Sequence, residues 1–144
     1  MDWKCLRYEA KGFRILTPSK PDGSYIWWDD REFPGHKGWS KTLSAAKAAC
    51  SRRARKKLKW KETWWETTED GLCGHVEWDA SAQLYRWTVY LSHVPDDVGS
   101  KDLLHSKLTV NYRGGSRTFK AAEACVELVF GTLRELVPRF YDHW

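Results

Sequence analysis

The sequence predicts an α+β protein of two pseudo-repeated units, each an antiparallel three- to four-stranded sheet backed by one helix. Three observations carry that prediction: an echo that opens two helices, alternating apolar residues ahead of each, and a charge layout that divides the chain. Residues 40–48 (SKTLSAAKA) and 116–124 (SRTFKAAEA) are identical at five of nine positions, 76 residues apart. Thr42 and Thr118 are suited to cap the helices that follow, since a threonine hydroxyl accepts from an unpaired first-turn amide. The first helix is expected over residues 43 to about 58, with a thin stripe of Leu43, Ala46, Cys50 and Ala54. The second is expected over 119–136, with Phe119, Ala122, Val126, Val129, Leu133 and Leu136 on one face and Pro138 ending it.

Strands are expected over residues 4–9, 13–17 and 25–29 in the first unit, with turns at Gly12 and 21–24. In the second unit, residues 60–68 and 73–78 read as a hairpin around Glu69-Asp70-Gly71. Residues 84–91 alternate, with Tyr85, Trp87, Val89 and Leu91 on one face, and 108–113 repeat the pattern. The unit boundaries fall at 1–59, basic, and 60–144, acidic, docked as one body because each is small to stand alone.

Composition limits the classes of function. With 144 residues, 42% hydrophobic and 30% charged, the chain is expected to be a soluble globule. No apolar run approaches the ~20 residues of a membrane helix, and the N-terminus lacks the apolar core of a secretory signal. A reducing cytoplasm is the expected location, that of a bacterial host if the chain is phage-encoded. The four cysteines lack paired CxxC spacing, so neither disulfides nor a metal site is expected; Cys73 with His75 is the closest approach to a ligand pair. Cofactors are expected to be absent as well.

Residues 1–61 hold 16 Lys and Arg against 6 Asp and Glu, and residues 62–144 hold 8 against 13. Nine cations fall between 41 and 61 with no acidic residue among them: Lys41, Lys47, Arg52, Arg53, Arg55, Lys56, Lys57, Lys59 and Lys61. Such a run suits a phosphate backbone; the plainer alternative is a solvated face, or one answered by the acidic half. Trp27-Trp28 and Trp64-Trp65 are adjacent pairs, and on a strand one indole of each pair must face away from the other. An outward indole stacks on bases or anchors a protein contact. The outward face of the second sheet, with Arg86, Thr88, Tyr90, Thr109, Asn111 and Arg113, carries residue types that read base edges, and Arg14, Tyr25 and Trp27 are the expected counterparts in the first.

Strands bearing outward Arg and Trp, followed by a helix opening Thr-Leu/Phe-x-Ala-Ala-x-Ala, resemble the AP2-type domain and the arm-binding domain of phage integrases. The likeness rests on residues 13–17, 25–29 and 42–49, then 86–91, 108–113 and 118–125. It implies a sheet that enters the major groove with a helix behind it. This chain departs from the pattern in carrying its densest charge on the first helix and in having an acidic second unit.

No catalytic residues are expected. His75-Val-Glu77 lacks the Cys pair that completes a zinc deaminase, Glu9-Ala-Lys11 lacks a firmly placed partner carboxylate, and there is no phosphate loop or GxSxG. The expected function is therefore non-enzymatic binding of DNA or RNA by a protein of phage or mobile-element type. Lys47, Arg52, Arg53, Arg55, Lys56, Lys57, Lys59 and Lys61 would meet phosphates, with Trp27, Trp64, Arg86 and Arg113 at bases. The alternatives are an anti-CRISPR-like or other anti-defence inhibitor bound to a host nucleic-acid-binding protein complex, with its acidic residues imitating a nucleic-acid backbone, and an assembly protein that forms a homodimer. No membrane partner is expected.

Overall fold

The computed structural model describes residues 1–69, 71–91 and 112–141, with Leu91 and the last six residues by backbone only. The class is α+β, as expected. The described strands are β1 (Lys4–Ala10), β2 (Phe13–Leu16), β3 (Tyr25–Asp29), β4 (His36–Ser40), β5 (Lys61–Glu69), β6 (Leu72–Asp79), β7 (Leu84–Leu91) and β8 (Tyr112–Ser116). The described helices are α1 (Leu43–Ala54) and α2 (Phe119–Tyr141). The strands follow the order β4-β3-β2-β1-β5-β6-β7-β8 in one sheet. The chain divides into two compact units, Cys5–Trp65 and Met1–Lys4 with Glu66–Trp144, so the division falls within β5.

In the unit Cys5–Trp65, register settles which side chains face the helix. Cross-strand partners share a face, and two rows run across β1 to β4 beneath α1: Tyr8–Ile15–Trp27–Gly38 and Ala10–Phe13–Asp29–His36. Phe13, Ile15, Ala46, Cys50 and Leu58 form the buried core of this unit, with Tyr8, Tyr25, Trp27, Leu43 and Trp60 packed around it. Cys50 thus serves as a small apolar group, and burial pushes its thiol up to about 11.

In the other unit, Leu72, Gly74 and Val76 of β6 and Val89 of β7 lie against Ala122, Val126, Phe130 and Leu133 of α2, all but Gly74 among the buried core side chains. Three aromatic contacts, Trp3–Phe119, Tyr85–Phe119 and Trp78–Tyr85, close the end of that core nearest the start of α2. Several of the ten tryptophans are therefore absorbed as core rather than left for a partner.

Both helix openings are built alike. Thr42 Oγ1 accepts from Ala45 N and Thr118 Oγ1 from Ala121 N, each at 3.1 Å, as the threonine caps require. Tyr25 pairs with Ser40 and Tyr85 with Ser116; Trp27 pairs with Gly38 and Trp87 with Gly114. In both hairpins the indole lies over the glycine, so a Cβ at Gly38 would sit 2.3 Å from the Trp27 ring and one at Gly114 2.7 Å from the Trp87 ring.

Three expectations about elements need correction. Residues 36–40 form β4, which the loop-like composition of Pro34-Gly35 and Gly38 conceals; the missing side chain at Gly38 is what lets Trp27 lie across the strand. The first helix ends at Ala54 rather than near 58, because Arg55 adopts a left-handed conformation, φ 55°, that closes its last turn. The second helix runs through Pro138 to Tyr141. A proline close to a helix end removes only the bond its own nitrogen would donate to the Arg134 carbonyl, and the chain beyond it stays helical. The expected strand at 108–113 is described only from Tyr112 onward; residues 108–111 lie outside the described residues, as does Asp70 of the expected turn.

Alanine at Gly38 or Gly114 should destabilise the chain by ~1–3 kcal/mol in urea unfolding, since the added carbon must displace an indole. Gly131→Ala, on α2 with nothing within 4 Å of the new carbon, should instead stabilise by ~0.5–1 kcal/mol. Equal effects at all three positions would contradict the indole–glycine packing.

Candidate nucleic-acid interface

The cationic run does not lie on one helix face. Arg52 and Arg53 occupy the last turn of α1, Arg55 ends it, and Lys56, Lys57, Lys59 and Lys61 follow outside the helix. Beyond Arg55 the burial alternates: Leu58 is buried and Trp60 packs on the core of the unit, whereas Lys57, Lys59 and Lys61 are exposed. The two apolar side chains hold the segment down and turn the lysines outward. Arg52, Arg55, Lys56, Lys57 and Lys59 are exposed and have no carboxylate partner among the described residues. Lys47 differs, lying half-buried with its ammonium 5.2 Å from the centre of the Tyr8 ring.

Arg53 is the exception in the run. Its Nε donates to Asp29 Oδ2 at 3.1 Å, and Arg31 forks onto the same carboxylate through Nε and Nη2, each at 2.9 Å. Asp29 is 5% exposed, and the two guanidiniums, Arg31 first, hold its carboxyl well below the usual carboxylate range. The guanidinium of Arg31 also reaches the Arg53 carbonyl at 3.3 Å, so the end of α1 is fastened to the end of β3.

On the side of β1 to β4 away from α1, two further rows cross the strands: Arg7–Leu16–Ile26–Trp39 and Glu9–Arg14–Trp28–Lys37. The Arg14 guanidinium lies 4.3 Å from the Trp28 ring centre, and the Lys37 ammonium 5.4 Å from that of Trp39. Arg14 also donates to Asp30 at 2.9 Å, and Arg7 donates to the buried Thr63 hydroxyl at 3.0 Å while lying 5.7 Å from the Trp64 ring. Trp39 is 59% exposed. It forms one wall of an open cleft of about 560 Å³ with Leu16, Ile26, Pro18 and Lys20. Indoles interleaved with cations make a face suited to stacking bases beside a phosphate backbone.

The tryptophan pair is therefore assigned the other way from the expectation. Trp27 and Tyr25 belong to the helix side, because Trp27 pairs with Ile15, a fully buried residue; Trp28 shares the open face with Arg14. Trp64 is half-buried beside Arg7. In the second unit, Arg86 is exposed but donates to Asp79 at 2.9 Å, and Arg113 is exposed on β8 opposite Thr88. Among the acidic residues of the second half, Asp79 also accepts from Ser81 and Ala82, Glu69 pairs with Arg134, and Glu66 accepts from the Cys73 thiol. Sequence reasoning missed Lys37 and Trp39, which lie on the strand it did not foresee.

The four cysteines are free thiols. No helix among the described residues is long and apolar enough to cross a membrane. No protein family, curated protein or solved structure matches the chain.

Asp29→Asn should cost about 2 kcal/mol in denaturant unfolding at neutral pH, the scale of hydrogen bonds to a charged group. The folded carboxyl titrates below its ordinary 3.8, so the stability it supplies is fully present above about pH 4 and is lost as the pH falls further. The gap between parent and variant should then narrow below that pH; a gap constant into acid would contradict the clamp.

Proposed function

We propose that the protein binds DNA or RNA without catalysing a reaction, gripping phosphates with the cations of residues 52–59 and stacking on the indoles of Trp28 and Trp39. The observation that carries this reading is the set Arg52, Arg55, Lys56, Lys57 and Lys59: five exposed cations in eight consecutive residues, none with a carboxylate partner among the described residues. Five unanswered charges so close repel one another, and neutralising a polyanion relieves that repulsion while releasing its counterions. The open face of β1 to β4 supports the same reading, since Arg14, Trp28, Lys37 and Trp39 alternate charge and ring on the side opposite the helix. The resemblance to AP2-type and integrase arm-binding domains points there too, because such a domain would present that face to a groove. The protein is then one of the compact kind that phages and mobile elements encode, acting in the cytoplasm of a bacterial host.

A second reading, an anti-defence inhibitor that docks on a host protein or nucleoprotein complex, draws on exposed apolar side chains: Phe33 is fully exposed and Leu128 73% exposed. The engagement of Glu69 and Asp79 within the chain weighs against acidic mimicry as its means.

Fluorescence anisotropy with a labelled oligonucleotide separates the two. If the five cations contact phosphates, log K should fall with log salt at a slope of roughly −4 to −5, about a 500-fold loss from 50 to 200 mM. A triple reversal, Arg52→Glu, Lys56→Glu and Lys57→Glu, should abolish binding while leaving the melting temperature near that of the parent, because none of the three has a carboxylate partner among the described residues. A flat salt profile, or binding that survives the reversal, would overturn the nucleic-acid reading; a complex from host lysate that resists nuclease would favour the inhibitor.

A further inference from the structure

Outside the cationic surface, one cluster gathers three different metal-ligating side chains. Glu66 on β5 and Cys73 and His75 on β6 converge on the side of the sheet away from α2. A two-residue spacing on a strand puts Cys73 and His75 on one face, and the neighbouring strand supplies the carboxylate. Cys73 Sγ lies 3.4 Å from His75 Nε2 and 3.4 Å from Glu66 Oε1, and Nε2 lies 3.6 Å from Oε1. Tyr90 on β7, paired with Cys73, places its hydroxyl 3.1 Å from the same Nε2.

We propose that Glu66, Cys73 and His75 form a zinc-type divalent metal site, with one sulfur, one nitrogen and one oxygen ligand and a fourth position left for water or an exogenous ligand. The size of the triangle carries the proposal. For Zn–S of about 2.3 Å and Zn–N and Zn–O of about 2.0–2.1 Å, tetrahedral angles require ligand atoms about 3.3–3.6 Å apart. The three observed edges fall in that range, so an ion can be seated with little movement of the side chains. The donor set is also selective. A thiolate and an imidazole favour zinc and cobalt over magnesium or calcium, which take oxygen ligands. The same contacts can be met by hydrogen bonds, with the Cys73 thiol donating to Glu66 and the Tyr90 hydroxyl beside Nε2, so metal binding is what the test must distinguish. On binding, the Cys73 S–H bond breaks, its proton passes to solvent, and the sulfur bonds to the ion; no electron changes hands.

This site is independent of the nucleic-acid reading. The test is a cobalt titration of the full chain after chelator treatment, read by absorption. One equivalent of Co²⁺ should produce a thiolate-to-cobalt charge-transfer band and the intense visible bands of four-coordinate cobalt, and Zn²⁺ should displace them. Cys73→Ala should eliminate the charge-transfer band, and His75→Ala and Glu66→Gln should each weaken binding at least ~100-fold, beyond the 10–100-fold typical of supporting residues. Absence of the band in the parent chain, or its persistence in Cys73→Ala, overturns the proposal and leaves the cluster a hydrogen-bonded one. Should a variant fail to fold, the parent still decides: added Zn²⁺ should raise its melting temperature, and an unchanged melt together with a missing band refutes the site.

Discussion

The constraint on which the candidate surface depends is the two-residue period of β1 to β4 under α1. Ile15 is fully buried, and whatever pairs with it must face the helix; that places Trp27 over Gly38 and sends Trp28, one residue on, to the other side. Arg14, Lys37 and Trp39 take their positions from the same count. A slip of one residue would exchange the faces, burying Arg14 and Lys37 beneath α1 and exposing Ile15 and Phe13. The energetic gap between those alternatives is large, so the register is firmly held even though the loop joining β2 to β3 is long.

Electrostatics divides the cations into two populations. Arg53 and Arg31 are consumed by Asp29, a nearly buried carboxylate that would be costly without them. That cluster keeps one net positive charge, and the remaining cations of residues 52–59 have no carboxylate partner among the described residues. The same arrangement explains why net charge alone was an imperfect guide: a cation bound to an internal carboxylate and one open to water count equally in composition.

Much of this was readable from the chain itself. The threonine caps at 42 and 118, the helix-facing Tyr85, Trp87 and Val89, and the density of charge after Ala49 all follow from local pattern. What was not readable depends on register and on contacts distant in sequence. Choosing between Trp27 and Trp28 needs the pairing of β2 with β3, which a loop over residues 17–24 does not fix. β4 is hidden because its glycine is there for an indole eleven residues earlier. The approach of Glu66 to Cys73 and His75 is set by which residues of β5 and β6 lie side by side, and no spacing rule conveys that. Phe130, a fully buried residue of α2, fell outside the expected stripe by one position.

The alternation after Arg55 has a thermodynamic consequence. With Leu58 and Trp60 seated on the core, the lysines between them are carried by a backbone that is already placed. A free cationic tail would lose considerable chain entropy on meeting a partner, and part of its electrostatic gain would be spent on ordering. Here that ordering is completed when the chain folds, so a short run of charge can act as a preorganised rail rather than a flexible tether.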